Sequence, residues 1–373
     1  MFLKLVPMSF RVIISGGGTG GHIFPAISIA NELKQRVKDI NILFVGAKGR
    51  MEMEKVPKAG YSIKGLNISG LQRSWKDVRN IWFPFKLISS LWKSYWIIKK
   101  YKPSVVVGTG GYASGPLLFV ASKLSVPALI QEQNSYPGIT NKLLSKSVQK
   151  ICVSYDKMER FFPKSKLMML GNPVRQDLLD SAVKKTEAAK HFNLDLSRKT
   201  ILVVGGSLGA RTINHSIANL IQQFEEKNIQ LIWQTGLSYE SDAKNLCKSL
   251  NNVQVHAFIY NMDLAYSAAD IIISRAGAST ISELCLIGKP ALLIPSPNVA
   301  EDHQTKNAMA LIEKNAALMV KDSEAQEQLG QVIFDLLENE NTQQNLGENI
   351  KKLAMPNSAK HIVDEVLKLV KEK

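Results

Sequence analysis

The chain has 373 residues, too many for one ordinary domain, and 45% of them are apolar, so two domains could each bury a core. Its net charge of +15 is uneven, because residues 1–174 contain 26 basic and 8 acidic residues whereas residues 175–373 contain 21 and 24; an anionic partner would therefore meet the first half. Three scattered cysteines exclude a disulfide framework and a zinc site and fit a reducing cytoplasm, and no apolar run is long enough to span a membrane.

Short apolar runs alternate with helical patterns in both halves, which predicts parallel sheets built from right-handed βαβ units. In the first half we expect strands at 11–15, 40–46, 104–108, 128–131 and 150–154, with helices through 31–37 and over 84–102. In the second half we expect strands at 200–204, 230–234, 253–257, 271–274 and 291–294. A hinge at 171–174 would separate domains 1–174 and 175–355. A final helix within 356–373, over 358–371, is a candidate to pack back on the first domain.

Glycine loops close the first strand of each half, at Gly16–Gly21 and at Gly205–Gly209, and each opens a helix. Glycine allows close approach, and the N-terminus of the following helix suits a phosphate. A third glycine cluster at 108–116 would lie beside the first loop, where two helix N-termini could hold a diphosphate. The second strand ends without a carboxylate, which argues against NAD. Together the loops predict twin α/β nucleotide-binding domains whose parallel sheets face a cleft.

Two side chains stand out as candidates for chemistry. His22 closes the first loop at a helix start, where the helix dipole disfavours the imidazolium and leaves a neutral ring that can accept a proton. Glu283 lies one turn into a helix that follows another glycine turn, where a carboxylate could hold both hydroxyls of a ribose. No Asp-x-Asp pair follows a strand, so we expect no metal and no cofactor. Arg175 and Arg211 are the candidates to neutralise a leaving diphosphate.

Four of the five tryptophans fall within 22 residues among lysines and arginines, at positions 75, 82, 92 and 96. This composition is typical of an interfacial membrane anchor. We interpret 84–102 as a crossover helix that buries its apolar side chains Phe85, Ile88, Trp92 and Tyr95 on the sheet. The anchor is then assigned to 71–83, where the expected membrane contacts are Trp75, Ile81, Trp82 and Phe83.

Six segments resemble the MurG family of glycosyltransferases, in the family's order and over nearly the whole chain: 17–26, 110–116, 131–134, 171–175, 205–210 and 302–308. The resemblance implies the GT-B architecture of two Rossmann-like domains. It also implies inverting transfer of N-acetylglucosamine from UDP-GlcNAc to the muramoyl 4-hydroxyl of lipid I, which forms lipid II for peptidoglycan. The enzyme would work as a peripheral protein on the cytoplasmic face of the cell membrane.

The same resemblance implies roles for individual residues. UDP-GlcNAc would contact Thr19, Gly20, Gly21, Asn134, Arg175, Ser207, Ile259, Ala278, Ser279, Thr280, Glu283 and Gln304. The uracil would meet the backbone of Ile259. The acceptor diphosphate would meet Gly18, Gly111 and Tyr112. His22 would be the general base, with Glu132 as the alternative. His303 and Gln304 stand where some members have two glutamines, so either side chain could contact the sugar.

Two other functions remain open at this stage. One is a glycolipid synthase of the same architecture that uses diacylglycerol as its acceptor. The other is a non-catalytic RNA-binding protein, which only the basic first half supports. Because the chain has no aromatic-basic recognition motif, we expect no nucleic-acid partner.

Overall fold

The computed structural model describes residues 10–70, 81–174, 178, 184–206 and 208–371. The chain forms two compact units. The first unit comprises Met1–Val174 and Asn357–Lys373, and the second unit comprises Arg175–Pro356. Each unit contains one parallel sheet with helices packed on it, seven strands in the first and six in the second. The predicted fold class, two Rossmann-like α/β domains with parallel sheets, is confirmed.

In the first unit the strands are β1 (Arg11–Gly16), β2 (Asn41–Ala47), β3 (Ser62–Leu66), β4 (Val105–Gly110), β5 (Ala128–Glu132), β6 (Lys150–Val153) and β7 (Leu167–Met169). The helices before residue 174 are α1 (Gly20–Arg36), α2 (Glu52–Lys58), α3 (Phe83–Tyr101), α4 (Ser114–Lys123) and α5 (Ile139–Leu144). The strand order is β3-β2-β1-β4-β5-β6-β7. The order reverses between β1 and β4, which is where open parallel sheets bind ligands.

In the second unit the strands are β8 (Thr200–Val204), β9 (Gln230–Gln234), β10 (Val253–His256), β11 (Ile271–Ser274), β12 (Ala291–Leu293) and β13 (Leu318–Met319). Its helices are α6 (Lys185–Phe192), α7 (Arg211–Ala218), α8 (Ile221–Glu226), α9 (Glu240–Leu246), α10 (Met262–Ala268), α11 (Ala278–Ile287), α12 (His303–Ile312), α13 (Ala325–Glu338) and α14 (Glu340–Lys352). The strand order is β10-β9-β8-β11-β12-β13, so the reversal lies between β8 and β11.

The inner strands are apolar on both faces because helices cover both faces of each sheet. In β1, Val12 and Ile14 belong to one core cluster, whereas Ile13 belongs to the cluster on the opposite face. All three side chains are fully buried. This two-sided burial is what makes the inner strands recognisable as short continuous apolar runs.

The last helix, α15 (Ser358–Lys371), belongs to the first unit. Ile362, Val363 and Val366 are fully buried and complete the core cluster that α1 forms on the sheet. At the rim of this contact the Arg36 guanidinium lies 2.6 Å from the carboxylate of Asp364. The chain therefore returns to its first sheet after building the second unit.

Helix α3 faces the opposite way from our prediction. We expected four side chains of this helix to pack on the sheet, but they are exposed: Phe85 64%, Ile88 65%, Trp92 68% and Tyr95 38%. Trp96 is also exposed, at 54%. The buried side includes Ser90, Ser94 and Ile97. Helix α3 packs against α4. Its small serines lie on the buried side, and its aromatic rings lie outside.

The predicted anchor segment is described only in part, because residues 71–80, with Trp75, lie outside the described ranges. Ile81 and Trp82 are exposed at 66% and 61%, as a membrane contact requires. Phe83 is partly buried against the core, so less of its ring is available for a membrane contact. None of the described helices combines the length and apolar content needed to cross a bilayer.

The packing of α15 predicts a stability effect far from any functional residue. Ile362→Ala should lower the free energy of unfolding of the first unit by about 2–4 kcal/mol, since it empties part of a fully buried core. Chemical denaturation followed by a probe in each unit would measure the effect. Lys360→Ala, at an exposed position on the same helix, is the matched control. If Ile362→Ala lowers the free energy of unfolding no more than Lys360→Ala does, α15 contributes little to the core.

Candidate active site

The loops that follow β1 and β4 lie against each other at the reversal point of the first sheet. The Gly17 amide donates to the Gly110 carbonyl at 3.3 Å. A Cβ at Gly111, where φ is +89°, would lie 2.3 Å from the Gly17 carbonyl oxygen, so only glycine fits there. The structure thus brings Gly111 and the half-exposed Tyr112 beside the first glycine loop.

A buried carboxylate occupies part of this loop. Glu52, at the start of α2, is fully buried and accepts the Gly18 amide at 2.9 Å and the Ala47 amide at 2.9 Å. The Gly18 N–H is therefore engaged within the protein, and the predicted contact of Gly18 with the acceptor diphosphate could use this N–H only by displacing Glu52. Glu52 lies outside every motif, so no sequence pattern predicted this contact.

His22 lies in the first turn of α1 and is held from two sides. Its Nδ1 is 2.8 Å from Oε1 of Gln133, which follows β5. Its ring lies over Gly110, where a Cβ would come within 2.8 Å of Nδ1 and Cε1. The Thr109 hydroxyl donates to the His22 carbonyl at 2.7 Å. The ring is half-buried, and one of its faces lies against Gly110 at the end of β4.

Other residues that we predicted to contact UDP-GlcNAc lie at the start of the same helix. Thr19 is exposed at the helix start, and its carbonyl accepts the amides of His22 and Ile23. Gly20 and Gly21 form the first residues of α1. Their placement at a helix N-terminus keeps them available to an anionic ligand.

Glu132 is a structural carboxylate. It is 1% exposed and accepts four hydrogen bonds, from the Asn134 amide and side chain, the Gly138 amide and the Asn141 side chain. With both oxygens engaged and the side chain buried, Glu132 is less suited than His22 to take a proton from a substrate. Its contact instead orients Asn134, which we expect to approach the sugar.

The second glycine loop follows β8 in the same manner as the first follows β1. Gly206 and Gly209 adopt φ of +86° and +78°. A Cβ at Gly209 would lie 2.1 Å from the Thr235 carbonyl oxygen, so the loop packs tightly against the end of β9. Arg175 and Ser207 lie outside the described ranges. Arg211 is exposed at the first position of α7.

Helix α11 begins beside this loop, after the neighbouring strand β11. Glu283 accepts a hydrogen bond at 2.9 Å from the hydroxyl of Tyr266, a buried side chain of α10. The buried Ser279 hydroxyl makes no hydrogen bond within the part of the chain that the structure describes. Ala278 and Thr280 flank it in the first turn. These residues therefore lie together, and Tyr266 joins them as a residue that sequence patterns missed.

Ile259 does not present a free amide to a uracil. Its N–H donates to Oε1 of Gln234 at 2.9 Å, and Nε2 of Gln234 donates to the Gly206 carbonyl at 3.1 Å. Gln234 thus links the glycine loop to the segment predicted to read the base. A uracil could pair with the Ile259 amide only by displacing this side chain.

Gln304 and His303 begin α12 after two residues in strained backbone. Glu301 and Asp302 adopt φ of +56° and +48°, a region that costs non-glycine residues about 1–3 kcal/mol each. Oε1 of Gln304 accepts a hydrogen bond from the Ser296 amide at 2.8 Å. The NH2 group of Gln304 therefore points away from Ser296. Among the described residues, no cluster of three or more His, Cys, Asp or Glu side chains could hold a metal ion.

Comparisons with known proteins identify both units. Residues 12–153 match the glycosyltransferase family 28 N-terminal domain, and residues 200–362 match the glycosyltransferase family 28 C-terminal domain. The chain is 57% identical over 361 residues to a protein of Flavobacterium psychrophilum named UDP-N-acetylglucosamine–N-acetylmuramyl-(pentapeptide) pyrophosphoryl-undecaprenol N-acetylglucosamine transferase, covering 97% of this chain and 98% of the relative. A protein of the same name from Parabacteroides distasonis is 55% identical, covering 98% and 99%.

The chain is also similar to solved structures. The crystal structure of MurG from Acinetobacter baumannii superposes with a TM-score of 0.79 at 30% identity, covering 96% of this chain and 99% of that one. A UDP-GlcNAc 2-epimerase from Neisseria meningitidis superposes with a TM-score of 0.66 at 18% identity, covering 97% and 100%. The second similarity concerns the fold alone.

The contacts of Glu52 predict that it stabilises the first glycine loop. Glu52→Ala should destabilise the first unit by about 2–4 kcal/mol, because two buried amides would lose an acceptor and each such loss costs about 1–3 kcal/mol. Thermal unfolding would measure the change. Glu54→Ala, which removes an exposed carboxylate of the same helix, should have almost no effect. Equal stability of the two variants would contradict a structural role for Glu52.

Proposed function

The chain belongs to the MurG family, glycosyltransferases that transfer N-acetylglucosamine from UDP-GlcNAc to lipid I to form lipid II, and we propose that it performs this transfer with inversion, UDP-GlcNAc binding the second unit and lipid I the first. The observation that carries the activity is similarity above 50% identity along 97% or more of the chain. This similarity favours a muramyl acceptor over diacylglycerol. Incubation with labelled UDP-GlcNAc and a lipid I analogue tests it directly, and labelled product with diacylglycerol alone would overturn it.

The donor proposal rests on the start of α11. Glu283 is fixed by Tyr266 in a position one turn from the helix N-terminus, and the buried Ser279 hydroxyl lies four residues earlier on the same side of the helix. A carboxylate there would accept both ribose hydroxyls, and the helix N-terminus favours the diphosphate. The glycine loop after β8, on the neighbouring strand, would add further amide donors.

Glu283→Ala should weaken UDP binding by about 1–3 kcal/mol, because hydrogen bonds to a charged group are lost. Calorimetry with UDP measures the affinity. Glu240→Ala on α9, an acidic residue paired with Lys244, serves as the control and should bind UDP normally. Unchanged affinity in a folded Glu283→Ala protein would remove this residue from the donor site.

The base proposal rests on His22. The acceptor hydroxyl attacks the anomeric carbon while UDP leaves from the opposite face, and a single base is sufficient to take the hydroxyl proton. His22 is half-buried, begins α1 and lies beside the Gly111 loop. Glu132 is fully engaged in its own loop, which leaves His22 as the candidate. With the base held in place, the units would serve mainly to align two large substrates.

His22→Ala should reduce turnover roughly 10²–10⁴-fold, the usual contribution of a general base, with UDP-GlcNAc affinity nearly unchanged. Steady-state kinetics with a soluble lipid I analogue provide the measurement. His361→Ala, at an exposed position on α15, controls for loss of a histidine. Near-normal turnover of the His22 variant would show that its ring is not the base.

We also propose that α3 binds the membrane that contains lipid I. The aromatic face, defined by Ile81, Trp82, Phe85, Ile88, Trp92 and Trp96, is exposed at 54–68%. Residues 81–155 contain nine lysines and one acidic residue, the buried Glu132. Aromatic side chains beside lysines are the composition of an interfacial anchor. This surface keeps Ile81 and Trp82 of the predicted 71–83 segment and extends from them along the outer side of α3.

A basic cavity adjoins the aromatic face. It has a volume of about 440 Å³ and is lined by Trp96 and by four lysines: Lys48, Lys64, Lys93 and Lys100. Burial lowers the pKa of Lys93, and the charges of Lys48 and Lys64 lower it further. An anionic surface would relieve this repulsion, each lysine near it contributing about 1 kcal/mol. Vesicle binding should therefore weaken as salt is raised.

Trp92→Ser with Trp96→Ser should weaken binding to anionic vesicles about 30-fold, taking on the order of 1 kcal/mol for partial burial of each ring. Sedimentation with vesicles measures the binding. The turnover of a lipid-embedded acceptor by the tryptophan variant is compared with its turnover of a short-chain acceptor. Both rings are exposed, so folding should be preserved. Leu196→Ser with Leu246→Ser, exposed at 52% and 44% in the second unit, is the control. Normal vesicle binding by the tryptophan variant would reject this surface.

A further inference from the structure

The side-chain amide of Gln133 faces His22 on one side and backbone carbonyls on the other. Its Nε2 lies 2.8 Å from the Thr109 carbonyl oxygen and 2.9 Å from the Gln131 carbonyl oxygen. It also contacts the side-chain oxygen of Gln131. Its Oε1 lies 2.8 Å from Nδ1 of His22.

The chemistry of these neighbours fixes the orientation of the amide. Carbonyl oxygens only accept hydrogen bonds, so the NH2 group must face Thr109 and Gln131. The reversed amide would place its oxygen against three other oxygens. Oε1 therefore points at the imidazole, and it too can only accept. The proton between Gln133 and His22 must be carried by Nδ1 of the ring.

Gln133 has little freedom to turn. It is 1% exposed, and its own carbonyl accepts a hydrogen bond at 3.1 Å from Asn172. Asn172 also accepts from the Gln131 amide at 2.8 Å and from the Ser154 hydroxyl at 2.6 Å. The ends of β5 and β6 are joined by these contacts to the segment at 171–174. A buried network with this many bonds holds one arrangement.

We propose that Gln133 is a positioning residue that keeps the proton of His22 on Nδ1 and so presents the lone pair of Nε2 to the acceptor hydroxyl. The inference rests on the proposal that His22 is the base. In the reaction the hydroxyl proton moves to Nε2 as its oxygen bonds to the anomeric carbon and the bond to UDP breaks. The ring then carries both protons, and Nδ1–H still donates to Gln133.

A neutral amide suits this task. The partner of a histidine nitrogen decides which nitrogen carries the proton. A carboxylate at this position would add a charge beside the ring. Gln133 selects the tautomer without adding one. The first unit thus prepares the base through a hydrogen bond that spans 111 residues of sequence.

The tautomer can be measured without any turnover. Long-range proton–nitrogen NMR on protein labelled at histidine distinguishes the two neutral forms at alkaline pH. The chain has six histidines, and His22→Asn identifies the signal of interest. We expect the wild-type signal to show a protonated Nδ1 and an unprotonated Nε2. A protonated Nε2 in the wild-type protein would overturn the inference, whether or not His22 is the base.

Gln133→Met keeps the size of the side chain and removes the acceptor. We expect its His22 signal to become a mixture of tautomers and kcat to fall about 10-fold to 10²-fold, part of what a general base contributes, with the KM for UDP-GlcNAc unchanged. Gln149→Met, which also removes a glutamine bonded to backbone, should change neither. A loss of kcat with an unchanged tautomer would reduce Gln133 to a structural role. A protonated Nδ1 together with full activity of His22→Ala would instead reject only the proposed base.

Discussion

The loops of the first unit depend on buried carboxylates that accept backbone amides. A buried charge is costly unless donors surround it. Glu52 meets this condition through the amides of Gly18 and Ala47, and Glu132 meets it through four donors in the segment 134–141. Hydrogen bonds within the protein therefore hold the loops around His22. Such preorganisation is what a transfer reaction between two large substrates needs.

The sequence was informative wherever burial is two-sided. The inner strands β1, β8 and β11 read as short apolar runs, and their predicted bounds agree with the structure to within one residue. The strands β3, β7 and β13 were missed. Each lies at an edge of its sheet, and β7 and β13 are only three and two residues long. β3 reads Ser-Ile-Lys-Gly-Leu, which carries no continuous apolar signal.

The site was predictable where a local pattern carried it and unpredictable where distant residues meet. Glycine loops and the helix start placed His22, because both are read from neighbouring positions. The partners Gln133, Glu52 and Tyr266 come from other elements, and polar residues of this kind follow no period. The prediction for helix α3 was wrong for a different reason. Its spacing fixed one apolar side, but spacing alone does not say whether that side meets the sheet or the solvent.

The return of α15 to the first sheet has a consequence for synthesis. A ribosome releases β1 and α1 early, but the core that they share with Ile362, Val363 and Val366 is incomplete until the whole second unit has been made. Domains usually fold in the order in which they are translated. Here the second unit has all its own strands before the first unit has its last helix. Until α15 arrives, the first unit exposes an apolar surface that a chaperone could cover.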